Sequence, residues 1–167
     1  MKINDRKEIV MPQGILGTHA ICQLGILVND LEATGKRYAE FFGVDLPPVI
    51  HSGEPERVKV VYNGHPSDAT CLMMFFNLGS LQIELIQPDE KPSVWRDDLT
   101  RRGEGLHHIA FQVKDSNNKA KEMDAAGYTL RMVGDYGDNS GCFHYMDTEE
   151  TLKMTIELLE SYPRGAN

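Results

Sequence analysis

The chain has 167 residues, 41% of them hydrophobic and 25% charged, an ordinary globular balance with length for one sizeable core or two half-domains that share one. Its formal net charge of −8 repels phosphate backbones and argues against nucleic acid as the main partner. No apolar run reaches a membrane span, residues 1–14 lack the apolar stretch of a secretory signal, and three widely spaced cysteines, Cys22, Cys71 and Cys142, form no C-x-x-C pair; a cytoplasmic protein without disulfides or membrane contact is expected.

Residues 1–18 read as a tail, and a first unit follows over residues 19–88. It opens with Gln23-Leu24-Gly25-Ile26-Leu27-Val28-Asn29-Asp30, a short apolar strand that stops at an acid. Asp30 is placed to cap a helix, because its carboxylate can accept from the first free backbone N–H groups. Leu31, Tyr38, Phe41 and Phe42 recur near helical spacing, and Gly43 offers a left-handed stop. Strands are expected at residues 58–62 and 71–78, separated by the turn residues Asn63-Gly64-His65-Pro66-Ser67, and the Met73-Met74-Phe75-Phe76 run reads as core packing. The unit closes on Leu81-Gln82-Ile83-Glu84-Leu85-Ile86. A linker over residues 89–104 carries a short helix around residues 95–101.

The second unit, residues 105–160, repeats this order. His108-Ile109-Ala110-Phe111-Gln112-Val113-Lys114-Asp115 aligns without gaps on the strand that opens at Gln23, at an offset of 85 residues, and Asp115 is again placed as a helix cap. Strands are expected at residues 129–133 and 142–146. The end, Met154-Thr155-Ile156-Glu157-Leu158-Leu159, matches the segment around Glu84 at an offset of 73 residues. The difference in offset places extra length in the middle of the first unit, within residues 58–70. Residues 161–167 read as a second tail. The whole predicts an α+β fold of two tandem βαβββ modules that form one curved mixed sheet.

The repeat also matches chemistry. The opening strands start with Gln23 and His108, and the closing strands each hold an acid between aliphatics, Glu84 and Glu157. A carboxylate that faces a core is costly to bury unless a cation meets it. One imidazole, one amide and two carboxylates supply a nitrogen and three oxygens with a summed charge of −2, a set that suits one divalent ion such as Mn, Co, Ni, Zn or Mg. His107 falls one residue off this alignment, on the opposite face of a regular strand. His19, His51, His65 and His144 are given no metal role, although His144 and Tyr145 are placed to line a pocket.

The segments Gly105-Leu106-His107-His108-Ile109-Ala110-Phe111-Gln112-Val113-Lys114-Asp115 and Leu81-Gln82-Ile83-Glu84-Leu85-Ile86-Gln87-Pro88 resemble methylmalonyl-CoA epimerases and glyoxalase-related proteins of the vicinal oxygen chelate superfamily. The resemblance runs from about residue 20 to residue 160. It implies a glyoxalase/bleomycin resistance/dioxygenase-like fold, a homodimer, and a metal held by Gln23, Glu84, His108 and Glu157. Gln23 departs from the histidine those epimerases carry. A glutamate of the acid/base pair is implied near residues 51–58, where Glu54 or Glu56 stands, and Glu56 is the one carried forward with Glu157. The implied activity is a metal-dependent epimerase or isomerase that takes a proton α to a carbonyl of a small molecule, an acyl-CoA thioester among the candidates. A glyoxalase I-like lyase and a non-catalytic binder of the resistance type are the alternatives. An extradiol dioxygenase is disfavoured, because that chemistry needs a histidine where Gln23 stands. No G-x-G-x-x-G follows a strand and no G-x-S-x-G elbow is present, so neither a nucleotide cofactor nor a serine nucleophile is expected.

Overall fold

In the computed structural model, residues 14–163 are described. They form one ten-stranded mixed sheet, curled into a half-barrel, with a few helices packed against it. The first half supplies β1 (Gln23–Leu27), α1 (Leu31–Phe42), β2 (Ile50–His51), α2 (Pro55–Val58), β3 (Val61–Tyr62), β4 (His65–Pro66), β5 (Cys71–Leu78) and β6 (Leu81–Pro88). Then come α3 (Val94–Arg102), β7 (Gly105–Gln112), α4 (Ser116–Ala125), β8 (Leu130–Asp135), β9 (Gly141–Met146), α5 (Glu149–Leu152) and β10 (Thr155–Ser161). The strand order is β2-β5-β6-β1-β7-β10-β9-β8-β3-β4. The two opening strands, β1 and β7, meet antiparallel at the centre, and each is flanked by the closing strand of its own unit, β6 or β10, in parallel. The repeat in the sequence is thus an approximate twofold in the sheet.

The expected second strand of the first unit is altered. A proline at the first helical position starts the single turn of α2 and takes residues 55–58 out of extended backbone. The short edge strand beside β5 is β2 instead, and β3 with β4 crosses to pair with β8 of the second unit. The extra length of the first half therefore becomes a strap that runs from one edge of the sheet to the other. Gly53 and Gly137 meet where the strap passes the turn after β8. A Cβ on Gly137 would lie 2.6 Å from the Ser52 carbonyl oxygen, so no side chain fits there.

Both helix starts show how the chain ends its strands. Asp30 caps α1 as its position predicts, accepting from the Ala33 N–H at 2.9 Å, and Gly43 closes the helix at φ 65°. The buried stripe is Leu31, Gly35 and Ala39, while Phe41 is 83% exposed. Asp115 differs from the expected cap. It adopts φ 56° and its carboxylate caps nothing; Glu160, at the end of β10, accepts from the N–H groups of Asp115 and Ser116 at 2.9 Å each. One apolar cluster lies under α1, another under α4, and a third joins the two halves inside the curl around Trp95, Phe143 and Tyr145. No helix among the described residues is long and apolar enough to cross a membrane.

Candidate metal centre

The four central strands each present one polar side chain to the concave face. Gly25 on β1 lies between Glu84 on β6 and His108 on β7, Gln23 precedes it on the same face, and Glu157 on β10 pairs with Ala110 beside His108. His108 Nε2 sits 3.0 Å from Glu157 Oε2, 3.6 Å from Glu84 Oε2 and 3.5 Å from Gln23 Oε1. One ligand atom each from Glu84, His108 and Glu157 falls within 4.8 Å of the other two. All four side chains are buried.

Their orientation favours convergence on a shared point over pairing with one another. Glu157 Oε2 is close to the His108 ring nitrogen yet has no hydrogen-bond partner. Burial and the neighbouring Glu157 carboxylate both push the Glu84 carboxyl well above the usual carboxylate range. Two buried acids with no lysine or arginine paired to them among the described residues are costly, and a divalent cation between them offsets that cost. The residues present therefore fit such an ion. Gln23 adds an oxygen, because its amide N–H donates to Gln82 Oε1 at 2.7 Å, and Gln82 donates in turn to Asn77 Oδ1 at 2.8 Å. That chain turns the Gln23 carbonyl towards the other three.

Two backbone features place His108. The absence of a side chain at Gly25 leaves room for the imidazole, since a Cβ there would lie 1.8 Å from His108 Cε1. The β1–β7 register also shifts, with Gly25 opposite His108 but Ile26 opposite Leu106. His107 is the extra residue of a β-bulge, and strict alternation of sides fails there. The expectation that His107 faces away from His108 is corrected: the two Nδ1 atoms lie 3.0 Å apart, and His107 Nε2 contacts Asp98 Oδ2 of α3 at 3.1 Å. Burial lowers the His107 imidazole to about 4 despite Asp98. Burial would raise the Asp98 carboxyl, but hydrogen bonds from His107 and Arg131 outweigh it and hold it low. Asp98 is a site residue that sequence reasoning missed. With Arg101 and Arg102 three and four places on, it reads as a solvated helix face.

The cluster opens into a cavity of about 650 Å³. Its walls include Met73, Phe75, Trp95, Phe143 and Tyr145, and His51, Ser52, Gly53 and Val58 of the strap line it as well. Tyr145 accepts from Trp95 Nε1 at 3.0 Å, and burial, with Glu157 and Glu84 nearby, pushes its phenol well up, so it stays a neutral hydroxyl. His144 is on the other face of β9, with Nε2 3.1 Å from Asn117 Oδ1, and does not line the cavity. Glu54 and Glu56 do not line it either. The α2 turn directs Val58 inward and leaves both acids exposed, so Glu56 does not take the expected place opposite Glu157.

The model of the Glyoxalase/Bleomycin resistance protein/Dioxygenase superfamily matches residues 22–146, from the strand that carries Gln23 through β9. The chain belongs to this superfamily. Among solved structures of the same fold, a methylmalonyl-CoA epimerase from Mycobacterium tuberculosis aligns with 93% of this chain and 95% of its own, at 19% identity and a TM-score of 0.63. A variant of the Streptomyces coelicolor methylmalonyl-CoA epimerase in complex with 2-nitronate-propionyl-CoA aligns over 86% and 98%, at 24% identity and a TM-score of 0.59. At these identities the likeness concerns the fold. The Bacillus subtilis protein YqjC is 30% identical over 92 residues, a stretch that spans 54% of this chain and 64% of that protein. Members of this superfamily are typically metal-dependent, and the Glu84, His108 and Glu157 cluster is where this member could hold an ion.

Proposed function

We propose that this protein is a metal-dependent epimerase or isomerase that removes a proton α to the carbonyl of a small-molecule substrate. The observation that carries this reading is the buried Gln23, Glu84, His108 and Glu157 cluster, of which Gln23, Glu84 and Glu157 line a largely apolar cavity. A divalent ion bound there supplies a Lewis acid for the substrate oxygen. Glu157 is the proton carrier, because it lines the cavity and its Oε2 has no hydrogen-bond partner. The neutral Tyr145 hydroxyl supplies a donor beside it, and Trp95, Phe143 and Tyr145 give the reacting carbon an aromatic, apolar wall.

With Glu56 on the outer face, a single carboxylate at Glu157 would return the proton to the face it left, which gives an isomerase or one-base exchange. Epimerisation needs a second carrier, and His51 on the strap is the cavity-lining imidazole that could serve. Acyl-CoA thioesters are the first substrates to test, since neighbours of this fold are complexes with such ligands. The lining contains Asp135 and Asp138 and, among the described residues, neither lysine nor arginine, so the acyl group rather than a phosphate belongs inside. Assembly as a homodimer in the cytoplasm is part of the proposal, supported by the family and by the exposed apolar run Phe41, Phe42, Val44 and Leu46.

The test is deuterium incorporation from heavy water into a panel of acyl-CoA thioesters and 2-oxo and 2-hydroxy acids, with metal-loaded and metal-stripped protein. Exchange that requires metal and disappears in Glu157→Gln is the expected result. Tight binding without exchange across the panel would favour the binding-protein alternative, and product formation from a hemithioacetal would favour the lyase.

A further inference from the structure

We infer that Asp98 and His107 are positioning residues that lock the His108 imidazole in its Nδ1–H tautomer, so that the Nε2 lone pair faces Glu84, Glu157 and Gln23. The inference rests on the proposed ion site and names what sets its nitrogen ligand.

Asp98 is completely buried on α3, and its carboxylate is surrounded by donors. Arg131 reaches both oxygens, at 3.0 and 3.2 Å, Arg101 Nη2 lies 3.1 Å from Oδ1, and Arg102 Nη2 lies 3.1 Å from Oδ2. A carboxylate among three guanidiniums acts as acceptor only. His107 Nε2, 3.1 Å from Oδ2, must therefore donate to it. A neutral His107 that donates through Nε2 has a lone pair at Nδ1. Across 3.0 Å from that lone pair is His108 Nδ1, and two lone pairs cannot face each other at that distance. The hydrogen between them belongs to His108, whose free lone pair is then at Nε2. Metal-binding histidines commonly donate their other N–H to a carboxylate, which fixes ring and tautomer. Here a second histidine carries that effect from a carboxylate one element away, and the β-bulge at His107 makes the geometry possible.

This account separates His107 from an ordinary core residue, because one substitution preserves its hydrogen-bond order. In His107→Gln the side-chain amide N–H can donate to Asp98 while its oxygen accepts from His108. In His107→Phe the ring volume stays but both bonds are lost. The experiment is long-range 1H–15N NMR of the His108 ring in metal-free full-length protein, followed by titration with Co(II) alone. The expected wild-type spectrum is the Nδ1–H form, retained in His107→Gln. Co(II) affinity should fall about 10- to 100-fold in His107→Phe and stay within about threefold of wild type in His107→Gln. A wild-type His108 with its proton on Nε2 overturns the inference without any variant. So does a folded His107→Phe protein with wild-type affinity. If the wild type holds the Nδ1–H form but takes up no divalent ion, the relay stands and the proposed metal chemistry fails.

Discussion

Gly25 illustrates how a residue without a side chain can decide a site. Its Cα lies against the His108 ring, and a methyl group there would overlap Cε1 at 1.8 Å. Gly25→Ala is expected to fold at a cost of about 1–3 kcal/mol, the usual range for overpacking, while losing most divalent-ion affinity because the imidazole is displaced. Thermal melts with Co(II) titration check this, and unchanged affinity would mean that the ring has another place to stand. Glu84 acts through charge. Its folded pKa is raised by burial and by Glu157, so its contribution to stability is complete below the ordinary carboxylate range and is lost as pH rises through the raised value. Metal-free Glu84→Gln should therefore be more stable than metal-free wild type, by an amount that grows from about pH 4.5 upward, while it binds metal more weakly. A variant less stable than wild type at pH 8 would show that the two carboxylates are compensated in some other way. The sequence marks Glu84 as a candidate ligand, but the space that Gly25 leaves for the imidazole is visible only in the fold.

At the scale of elements, helix starts and strand pairing follow different logics in the two halves. Asp30 does what a short acid before an apolar-periodic segment predicts, whereas Asp115 yields the task to Glu160. The reason is reach: with φ at 56°, Asp115 turns its side chain away, and the carboxylate at the end of β10 meets the same N–H groups and the Ser116 hydroxyl at 2.6 Å. Glu160→Ala should cost about 1 kcal/mol, as loss of a cap does, or roughly 2–4 °C in Tm, with ion affinity unchanged because α4 packs on the far side of the sheet. Chemical denaturation and the Co(II) titration would measure both, and a change in affinity would show that the capping network reaches the site. The bulge at His107 and the crossing of β3 to β8 are equally element-level events. Local patterning misses them, because a single inserted residue and a long-range strand partner leave no period in the sequence.

For the molecule as a whole, the sheet gathers its buried acids at the seam between two half-sheets, so folding and ion binding are coupled. A ligand that binds only the folded state at roughly 100 times its Kd adds about 2.7 kcal/mol of stability, some 5–10 °C in Tm for a chain of this size. Addition of Co(II), Mn(II) or Zn(II) to metal-free protein should produce a rise of that order. The rise should be absent in His108→Ala and Glu157→Ala. A wild-type melting temperature indifferent to every divalent ion would remove the centre from the account of this protein.

The repeat is written along the chain, and most of the architecture follows from it. Two apolar strands that open at Gln23 and His108 and two that close around Glu84 and Glu157 are equivalent by spacing, and equivalent strands of two packed units meet about an approximate twofold. The candidate ligand set was legible for the same reason, since polar residues at equivalent inward positions share one centre. Tertiary structure alone decided what surrounds it. Whether Glu56 faces the cavity depends on one turn of α2 that Pro55 initiates, and whether Asp98 belongs to the site depends on how α3 docks against β7. The partnership of His107 with His108 depends on one bulged residue. A pattern along the chain encodes which face a residue takes within its own element, but the meeting of side chains from separate elements is set by packing and register, which are properties of the folded whole.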